Sequence, residues 1–190
     1  RLDRAAGCWG SVIVIPNVDN AEREQRALRD VREKRLLIDK QDRWLIDLVG
    51  PYLGQRLLEV GCGWGNVLKL IDDRVPEIMA IDIDQESVDH VNTLYAQRPS
   101  VSARVADISD EATLEQLGVG YDAVLTINVL EHIEDDSRAL RNMKRMLRPG
   151  GYLLIVVPAH PSIYNQMDRS IGHYRRYSRR ALVEQIAGLG

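Results

Sequence analysis

The sequence predicts an α/β fold in which a mostly parallel β-sheet lies between two layers of helices. From about residue 56 onward, short runs of aliphatic and β-branched residues alternate with runs whose apolar positions recur at helical spacing. The last strand-like run, Leu153–Val157, is continuously apolar, as a strand buried on both faces requires. Such alternation indicates right-handed strand-helix-strand units, and these units build a parallel sheet.

The first 50 residues are expected to form an N-terminal extension and helical cap. Ser11–Ile15 is a short apolar run that Pro16 closes, and the highly charged stretch Ala21–Val49 carries apolar residues at a spacing typical of one or two amphipathic helices. Gly50 and the proline after it end this stretch. We therefore expect two parts, residues 1–50 and a single α/β domain over residues 51–190.

Five strands and four helices are predicted in that domain. The strands are expected at Arg56–Val60, Glu77–Ile81, Val101–Val105, Tyr121–Ile127 and Tyr152–Val157. The helices are expected at Asn66–Arg74, Gln85–Gln97, Glu111–Leu117 and Ser137–Leu147. Pro99 prevents the second helix from continuing, and the segment Arg148–Gly151 is expected to be a turn that stops the fourth helix and leads into the last strand.

Composition excludes several functional classes. The chain has 190 residues, of which 45% are hydrophobic, and a formal net charge of −3, so no overall attraction to nucleic acid is expected. Cys8 and Cys62 are too few for a disulfide framework and lack metal-ligand spacing, so we expect no metal site and a reducing, cytoplasmic location. No stretch approaches the roughly 18 apolar residues of a membrane span.

A glycine loop, Glu59–Gly65, follows the first predicted strand and precedes a helix. Glycines allow positive φ and close approach of a ligand to the backbone, and the helix start offers free N–H groups. The dinucleotide fingerprint G-x-G-x-x-G would need its third glycine at Asn66, whereas here that glycine is Gly65. The spacing therefore argues against a nicotinamide-dependent oxidoreductase.

The shorter E-x-G-x-G-x-G pattern resembles the first motif of class I S-adenosylmethionine-dependent methyltransferases, and the order of later motifs extends the resemblance over about Leu57–Gly190. The group resembled includes ubiquinone-biosynthesis-type enzymes and other small-molecule methyltransferases. The resemblance implies a Rossmann-like sheet, S-adenosylmethionine as cofactor and S-adenosylhomocysteine as product. It also implies a sheet of seven strands, of which strands six and seven are expected to be missing from this chain. We expect the exposed edge of strand five to be covered by a homodimer partner, by the N-terminal segment or by a missing C-terminal segment.

Polar residues beyond the strand ends are candidates for cofactor binding. Asp82 ends strand two about 20 residues after the glycine loop, where its carboxylate can accept hydrogen bonds from both ribose hydroxyls, and Ile83 can pack on a purine. Asp84 is expected to cap the next helix, and the alternative for both acids is a solvated turn. By resemblance, Asp107 and Ile108 contact the adenine and Asn128 lines the methionine portion. The full predicted set is Glu59, Gly61, Cys62, Gly63, Gly65, Asp82, Ile83, Asp107, Ile108, Asn128 and Val129.

Two histidines are candidate general bases. Transfer of an activated methyl group requires mainly orientation, and a base is needed only if the accepting atom is protonated. His132 follows strand four and His160 follows strand five, and each has a structural alternative as part of a connection.

The segment after strand five combines arginines with tyrosines. His173, Tyr174, Arg175, Arg176 and Tyr177 are predicted to bind a small acceptor that is anionic, for example a sugar, a lipid-linked molecule or a quinone-like molecule, at O or N. The alternative is a solvated turn before a helix capped by Ser178. For the whole chain, the alternative to an enzyme is a non-catalytic cofactor-binding module that regulates or scaffolds a partner.

Overall fold

The computed structural model describes residues 43–189. The chain divides into two compact units, Arg1–Gln41 and Asp42–Gly190, and the first unit lies outside the described residues. The predicted strand Ser11–Ile15 and most of the predicted helical stretch Ala21–Val49 therefore lie outside them as well. Helix α1 (43–49) packs Ile46 into the core of the second unit, so this unit begins before the predicted boundary at residue 51.

The five predicted strands and four predicted helices are all present, with further short helices after β5. The strands are β1 (Arg56–Val60), β2 (Glu77–Asp82), β3 (Val101–Val105), β4 (Tyr121–Ile127) and β5 (Leu147–Val156). The α-helices after α1 are α2 (Leu68–Ile71), α3 (Gln85–Leu94), α4 (Ala112–Leu117), α5 (Asp136–Met146), α6 (Gln166–Ser170) and α7 (Arg179–Ala187). Single 3₁₀ turns lie at Gly50–Tyr52, Leu130–His132 and Pro161–Ile163. Among the described residues, no helix has both the length and the apolar character to cross a membrane.

The sheet is parallel throughout, with the strand order β3-β2-β1-β4-β5. The chain runs outward from β1 to β3 and then returns to the other side of β1 through β4. The strand order thus reverses between β1 and β4, and a crevice opens beyond the carboxyl ends of these two strands. The glycine loop follows one of these ends, and Asn128 follows the other.

Alternating side chains of the central strands pack into two hydrophobic cores, one on each face of the sheet. Leu57 packs with buried residues of α1, α2 and α3, whereas Leu58 packs with α5 and with Tyr121. Both leucines are fully buried. A strand with period-two alternation and two apolar faces is what a three-layer architecture requires.

The segment Arg148–Gly151 is part of β5 and is not the turn that the sequence predicts. One residue of β4, Asp122, stands opposite these four residues, because the register passes from Tyr121↔Leu147 to Ala123↔Tyr152. Asp122 holds this bulge with its carboxylate, which accepts hydrogen bonds from the Arg148 side chain and from the backbone N–H groups of Gln55 (2.8 Å) and Arg56 (2.9 Å). These bonds, the one from Arg148 first, lower the pKa of Asp122 to about 2.

Two helices are shorter than predicted. The chain between the glycine loop and Leu68 forms turns, so α2 covers only four residues. Helix α3 begins as predicted, with the Asp84 carboxylate accepting from Ser87 N–H at 2.9 Å, but it ends at Leu94. The residue before Pro99 is disfavoured in a helix, and the preceding residues form a turn that closes on the core through buried Tyr95.

Candidate active site

The glycine loop needs its glycines for conformation and for space. Gly61, Gly63 and Gly65 have φ values of +79°, +46° and +73°, which side-chain-bearing residues rarely adopt. The N–H groups of Gly61 and Cys62 both donate to the carbonyl of Ile81, at 2.8 and 3.1 Å. A Cβ atom on Gly61 would lie 2.2 Å from Cγ2 of Val129. The loop therefore passes directly against the segment that follows β4.

Asp82 fixes the loop from the end of β2. Its Oδ2 atom accepts from Gly63 N–H at 2.8 Å, and its Oδ1 atom accepts from Asp84 N–H at 3.0 Å. Each carboxylate oxygen has a second lone pair, so both oxygens can still accept from a diol. Asp82 is thus held in one orientation while keeping the acceptor capacity that the sequence predicts for it.

A cavity of about 540 Å³ lies in the crevice at the carboxyl ends of the strands. Eight residues predicted for the site line it, namely Gly61, Asp82, Ile83, Asp107, Ile108, Asn128, Val129 and His132. Four predicted cofactor residues, Glu59, Cys62, Gly63 and Gly65, are not in its lining. The lining residues that sequence reasoning missed are Val60, Ala106, Ser109, Ile133, Glu134, Asp135 and Arg138.

Most of the missed lining residues are direct neighbours of predicted ones, so inspection of the whole strand-end segments could have found them. Arg138 is different, because it lies in the first turn of α5 and no motif points to it. One helical turn later, buried Asn142 donates from Nδ2 to the carbonyl of Ile108 at 2.9 Å. This bond anchors the loop after β3 on α5 and brings the first turn of the helix to the cavity.

The cavity has an apolar slot at the end formed by β2 and β3. Ile83 is 75% exposed, although it is a large aliphatic residue, and Ile108 is buried on the loop after β3. Asp107 is held by the bond that its Oδ1 accepts from Ser109 N–H at 2.7 Å. Apolar side chains with a fixed carboxylate beside them suit a flat heterocycle that bears an amino group.

Glu59 contributes a buried carboxyl group near the glycine loop. Its side chain is 3% exposed, and among the described residues its Oε2 atom has no hydrogen-bond partner. Burial, together with the charge of Asp82, raises the pKa of Glu59 to about 8. Burial and the same two acids raise the pKa of Cys62 to about 12, so its thiol stays protonated. Glu59 therefore keeps its proton near pH 7, and a cationic ligand bound beside it would favour the ionised carboxylate.

His132 lies on the cavity wall and is packed against a second histidine. The rings of His132 and His173 meet edge to face, with 4.6 Å between their centroids. Behind them, His173 Nδ1 lies 3.2 Å from Asp168 Oδ1, and its Nε2 lies 3.8 Å from Oε1 of Glu131. Burial and the neighbouring His173 lower the pKa of His132, whereas burial raises the pKa of Glu131. This arrangement can accept and hold a proton at the edge of the cavity.

The same cluster has the donor types of a divalent-cation site. Glu131, His132 and His173 each bring one ligand atom to within 4.8 Å of the others. Neither oxygen of buried Glu131 has a hydrogen-bond partner among the described residues. No metal-ligand spacing is apparent in the sequence, because His173 lies about 40 residues after Glu131 and His132.

Arg175, Arg176 and Tyr177 are bonded to internal acidic groups. Arg175 Nη1 lies 2.7 Å from Asp136 Oδ2, and Arg176 Nε lies 2.8 Å from Asp168 Oδ1. Tyr177 is buried, and its hydroxyl donates to Asp136 at 2.8 Å. The two contacts with Asp136 fasten the segment after β5 onto the start of α5, and the Arg176–Asp168 pair ties α6 to the chain before α7, so all three contacts have a structural role. Acceptor binding by these side chains stays a prediction, without support from their geometry.

The remaining predicted residues lie outside the cavity lining. His160 is exposed, has φ +62° and precedes the 3₁₀ turn at Pro161–Ile163. Tyr174 is about half exposed, and its backbone N–H donates to the carbonyl of Glu131 at 2.8 Å. Ser178 caps α7 as expected, with its Oγ atom accepting from Ala181 N–H at 3.2 Å. Of the two predicted catalytic histidines, only His132 lines the cavity.

A family model described as a methyltransferase domain matches residues 21–190. The chain belongs to this methyltransferase domain family. It is similar to an uncharacterized methyltransferase of Mycobacterium tuberculosis, with 36% identity over 121 residues, or 64% of this chain and 59% of the relative. It is also similar to the ubiquinone biosynthesis O-methyltransferase of Aeromonas salmonicida, with 30% identity over 125 residues, or 65% and 52% of the two chains. The chain thus spans less than two thirds of the length of these relatives.

Solved methyltransferase structures share the fold. A geranyl diphosphate methyltransferase in complex with S-adenosylmethionine superposes with a TM-score of 0.68 and 18% identity, covering 92% of this chain and 71% of that one. Family membership and fold confirm the resemblance predicted from the glycine loop. The residues present also fit S-adenosylmethionine, because the cavity offers an available carboxylate for a ribose and an apolar slot, and the unpartnered buried acid Glu59 precedes the glycine loop.

Proposed function

We propose that the chain is the cofactor-binding domain of an S-adenosylmethionine-dependent methyltransferase that methylates a hydroxyl oxygen of a small acceptor. Family membership supports methyl transfer, and the similarity to the O-methyltransferase of Aeromonas salmonicida supports oxygen as the accepting atom. The observation that carries the proposal is the position of His132, which lies on the cavity wall with His173 and two carboxyl groups behind it.

The chain's own residues would hold the cofactor by charge and shape. Asp82 would accept from the ribose hydroxyls, Asp107 from the adenine amino group, and Ile83 and Ile108 would sandwich the adenine. Glu59 would face the positive end of the cofactor through its partnerless oxygen. S-adenosylmethionine supplies a methyl group that its sulfonium already activates, so the protein's main task is to orient the acceptor in line with that bond.

His132 would remove the proton that a hydroxyl acceptor must lose. The lowered pKa of His132 keeps its ring neutral near pH 7, so a ring nitrogen can accept a proton. His173 presses edge-on against this ring and is itself held by Asp168. The paired Arg175 and Arg176 no longer argue for an anionic acceptor, so the proposal specifies the hydroxyl group alone.

Cofactor binding and catalysis can be tested separately. Calorimetric titration with S-adenosylhomocysteine should show binding to the wild type and, within about threefold, to His132→Asn. Methyl transfer from labelled S-adenosylmethionine to a panel of small phenols and hydroxy acids should fall by roughly 10²–10⁴ in kcat for this variant. His160→Asn is the matched control and should keep wild-type kcat, because His160 does not line the cavity.

Three outcomes would contradict the proposal. Unchanged kcat in His132→Asn would remove the base. Tight binding of S-adenosylhomocysteine without transfer to any acceptor would favour the non-catalytic module. Loss of activity with a chelator, together with one bound metal per chain by elemental analysis, would assign Glu131, His132 and His173 to a cation and not to a proton.

A further inference from the structure

Four large apolar side chains point to solvent in the chain between β5 and α7. We call Ile163, Met167, Ile171 and Tyr174 the 163–174 surface; each of them is more than half exposed, and Met167 reaches 72%. Ile171 lies one helical turn after Met167, with its N–H donating to the Met167 carbonyl at 3.2 Å, so these two side chains share one face of α6. Clustering of this kind marks an interaction surface more often than a scattered exposed residue does.

The charge around this surface is positive. Of the five arginines between His160 and Arg180, three lie in ion pairs with the carboxylates of Asp136, Asp168 and Glu184, namely Arg175, Arg176 and Arg180. Arg169 and Arg179 have no carboxylate within ion-pair distance among the described residues. The Arg169 guanidinium lies over the Tyr164 ring, 5.6 Å from its centroid. Exposed aliphatic and aromatic side chains flanked by free arginines are complementary to an anionic phospholipid surface.

We propose that the 163–174 surface docks this protein on an anionic phospholipid membrane. Met167, Ile171 and Ile163 enter the interface between headgroups and acyl chains, and Arg169 and Arg179, the two arginines without an ion pair among the described residues, contact lipid phosphates. No helix inserts across the bilayer in this arrangement. The chain's net charge of −3 does not oppose it, because screening limits the relevant field to about 8–10 Å around the surface.

Docking through the 163–174 surface would have a use, because this surface lies close to the cavity. Its Tyr174 N–H donates to the Glu131 carbonyl, and its neighbour His173 packs on His132, so the surface lies beside the cavity. A docked protein would present the cavity to an amphiphilic acceptor that resides in the lipid. This use rests on the proposed function, whereas the docking itself does not.

Vesicle co-sedimentation of the full 190-residue chain tests the docking without any methyl transfer. Vesicles of phosphatidylglycerol and phosphatidylcholine should bind the wild type, and vesicles of phosphatidylcholine alone should bind it less. Met167→Asp and Ile171→Asp should each weaken binding to the anionic vesicles roughly tenfold. Val119→Asp is the matched control and should bind like the wild type, because Val119 is about as exposed as Ile171 but lies at the amino ends of the parallel strands, whereas the 163–174 surface follows the carboxyl end of β5.

Affinity for S-adenosylhomocysteine, measured by calorimetry, verifies that each variant is folded. Wild-type protein that stays in the supernatant with anionic vesicles would overturn the proposal. So would equal losses in Met167→Asp and Val119→Asp. If Ile171→Asp instead converts a lipid-free dimer to a monomer in light scattering, the surface joins two copies of this chain and the membrane assignment is wrong.

Discussion

Replacement of Gly61 by alanine should destabilise the domain for a reason that can be separated from cofactor binding. At φ +79° an L-residue costs about 1–2 kcal/mol. The added Cβ would also lie 2.2 Å from Val129 Cγ2, which forces the loop or the valine to move and costs roughly 1–3 kcal/mol more. We therefore expect the free energy of unfolding to fall by about 2–5 kcal/mol.

Urea unfolding without cofactor measures this loss, and Gly63→Ala is its control. Gly63 also has positive φ, at +46°, but a Cβ there would meet no atom within 4 Å. It should lose only the conformational part, about 1–2 kcal/mol. The difference between the two variants isolates the steric contact with Val129.

The double variant Gly61→Ala/Val129→Ala tests the same contact from its other side. Because Val129→Ala removes the clashing methyl group, the two substitutions should couple favourably by roughly 1–3 kcal/mol. If Gly61→Ala is as stable as Gly63→Ala, or if the coupling is absent, the loop does not pass against Val129 as described.

Three further substitutions address the buried polar groups. Burial raises the pKa of Glu59 from 4.5 to about 8, so Glu59 keeps its proton in the folded state at pH values between these two. The stability of the wild type should therefore fall as the pH rises through this window. Thermal unfolding of Glu59→Gln across pH 5–8 should lack this pH dependence. Tyr177→Phe removes a buried hydroxyl that donates to Asp136, and urea unfolding should show a loss of about 1–2 kcal/mol, with S-adenosylhomocysteine affinity unchanged. Asn142→Ala removes the hydrogen bond to the Ile108 carbonyl at the cavity, so protein stability should fall and the affinity for S-adenosylhomocysteine should fall roughly tenfold in calorimetry. A loss of stability without a loss of affinity, or the reverse, would mean that this bond does not support the cavity.

Local sequence patterns were sufficient for most of the fold. The strands β1, β3 and β4 lie at their predicted bounds, because apolar runs closed by glycine or polar residues leave little choice of boundary. The segment Arg148–Gly151 was predicted wrongly as a turn. Proline and glycine indicate a turn in isolation, but here the carboxylate of Asp122 holds them in a bulged strand.

The strand-end residues that meet at the cavity were also predictable from the sequence. In a parallel sheet, residues after strand ends converge on one edge, and Gly61, Asp82, Asp107 and Asn128 do line one cavity. The cofactor roles of Asp107 and Asn128 came from the resemblance to class I methyltransferases, and they stay a prediction. Arg138 could not be assigned, because its place on the cavity depends on how α5 packs.

The sequence by itself determined the family, the sheet and the strand-end residues around the cavity, since these follow from short-range periodicity and motif order. Only the tertiary structure decided the roles of the segment after β5. It showed that Arg175 and Arg176 neutralise Asp136 and Asp168, and that His173 meets His132 beside the cavity. The local sequence around an arginine is the same whether its side chain contacts a ligand or a buried acid. Long-range packing determines which of the two it contacts, and the spacing of residues along the chain does not predict this packing.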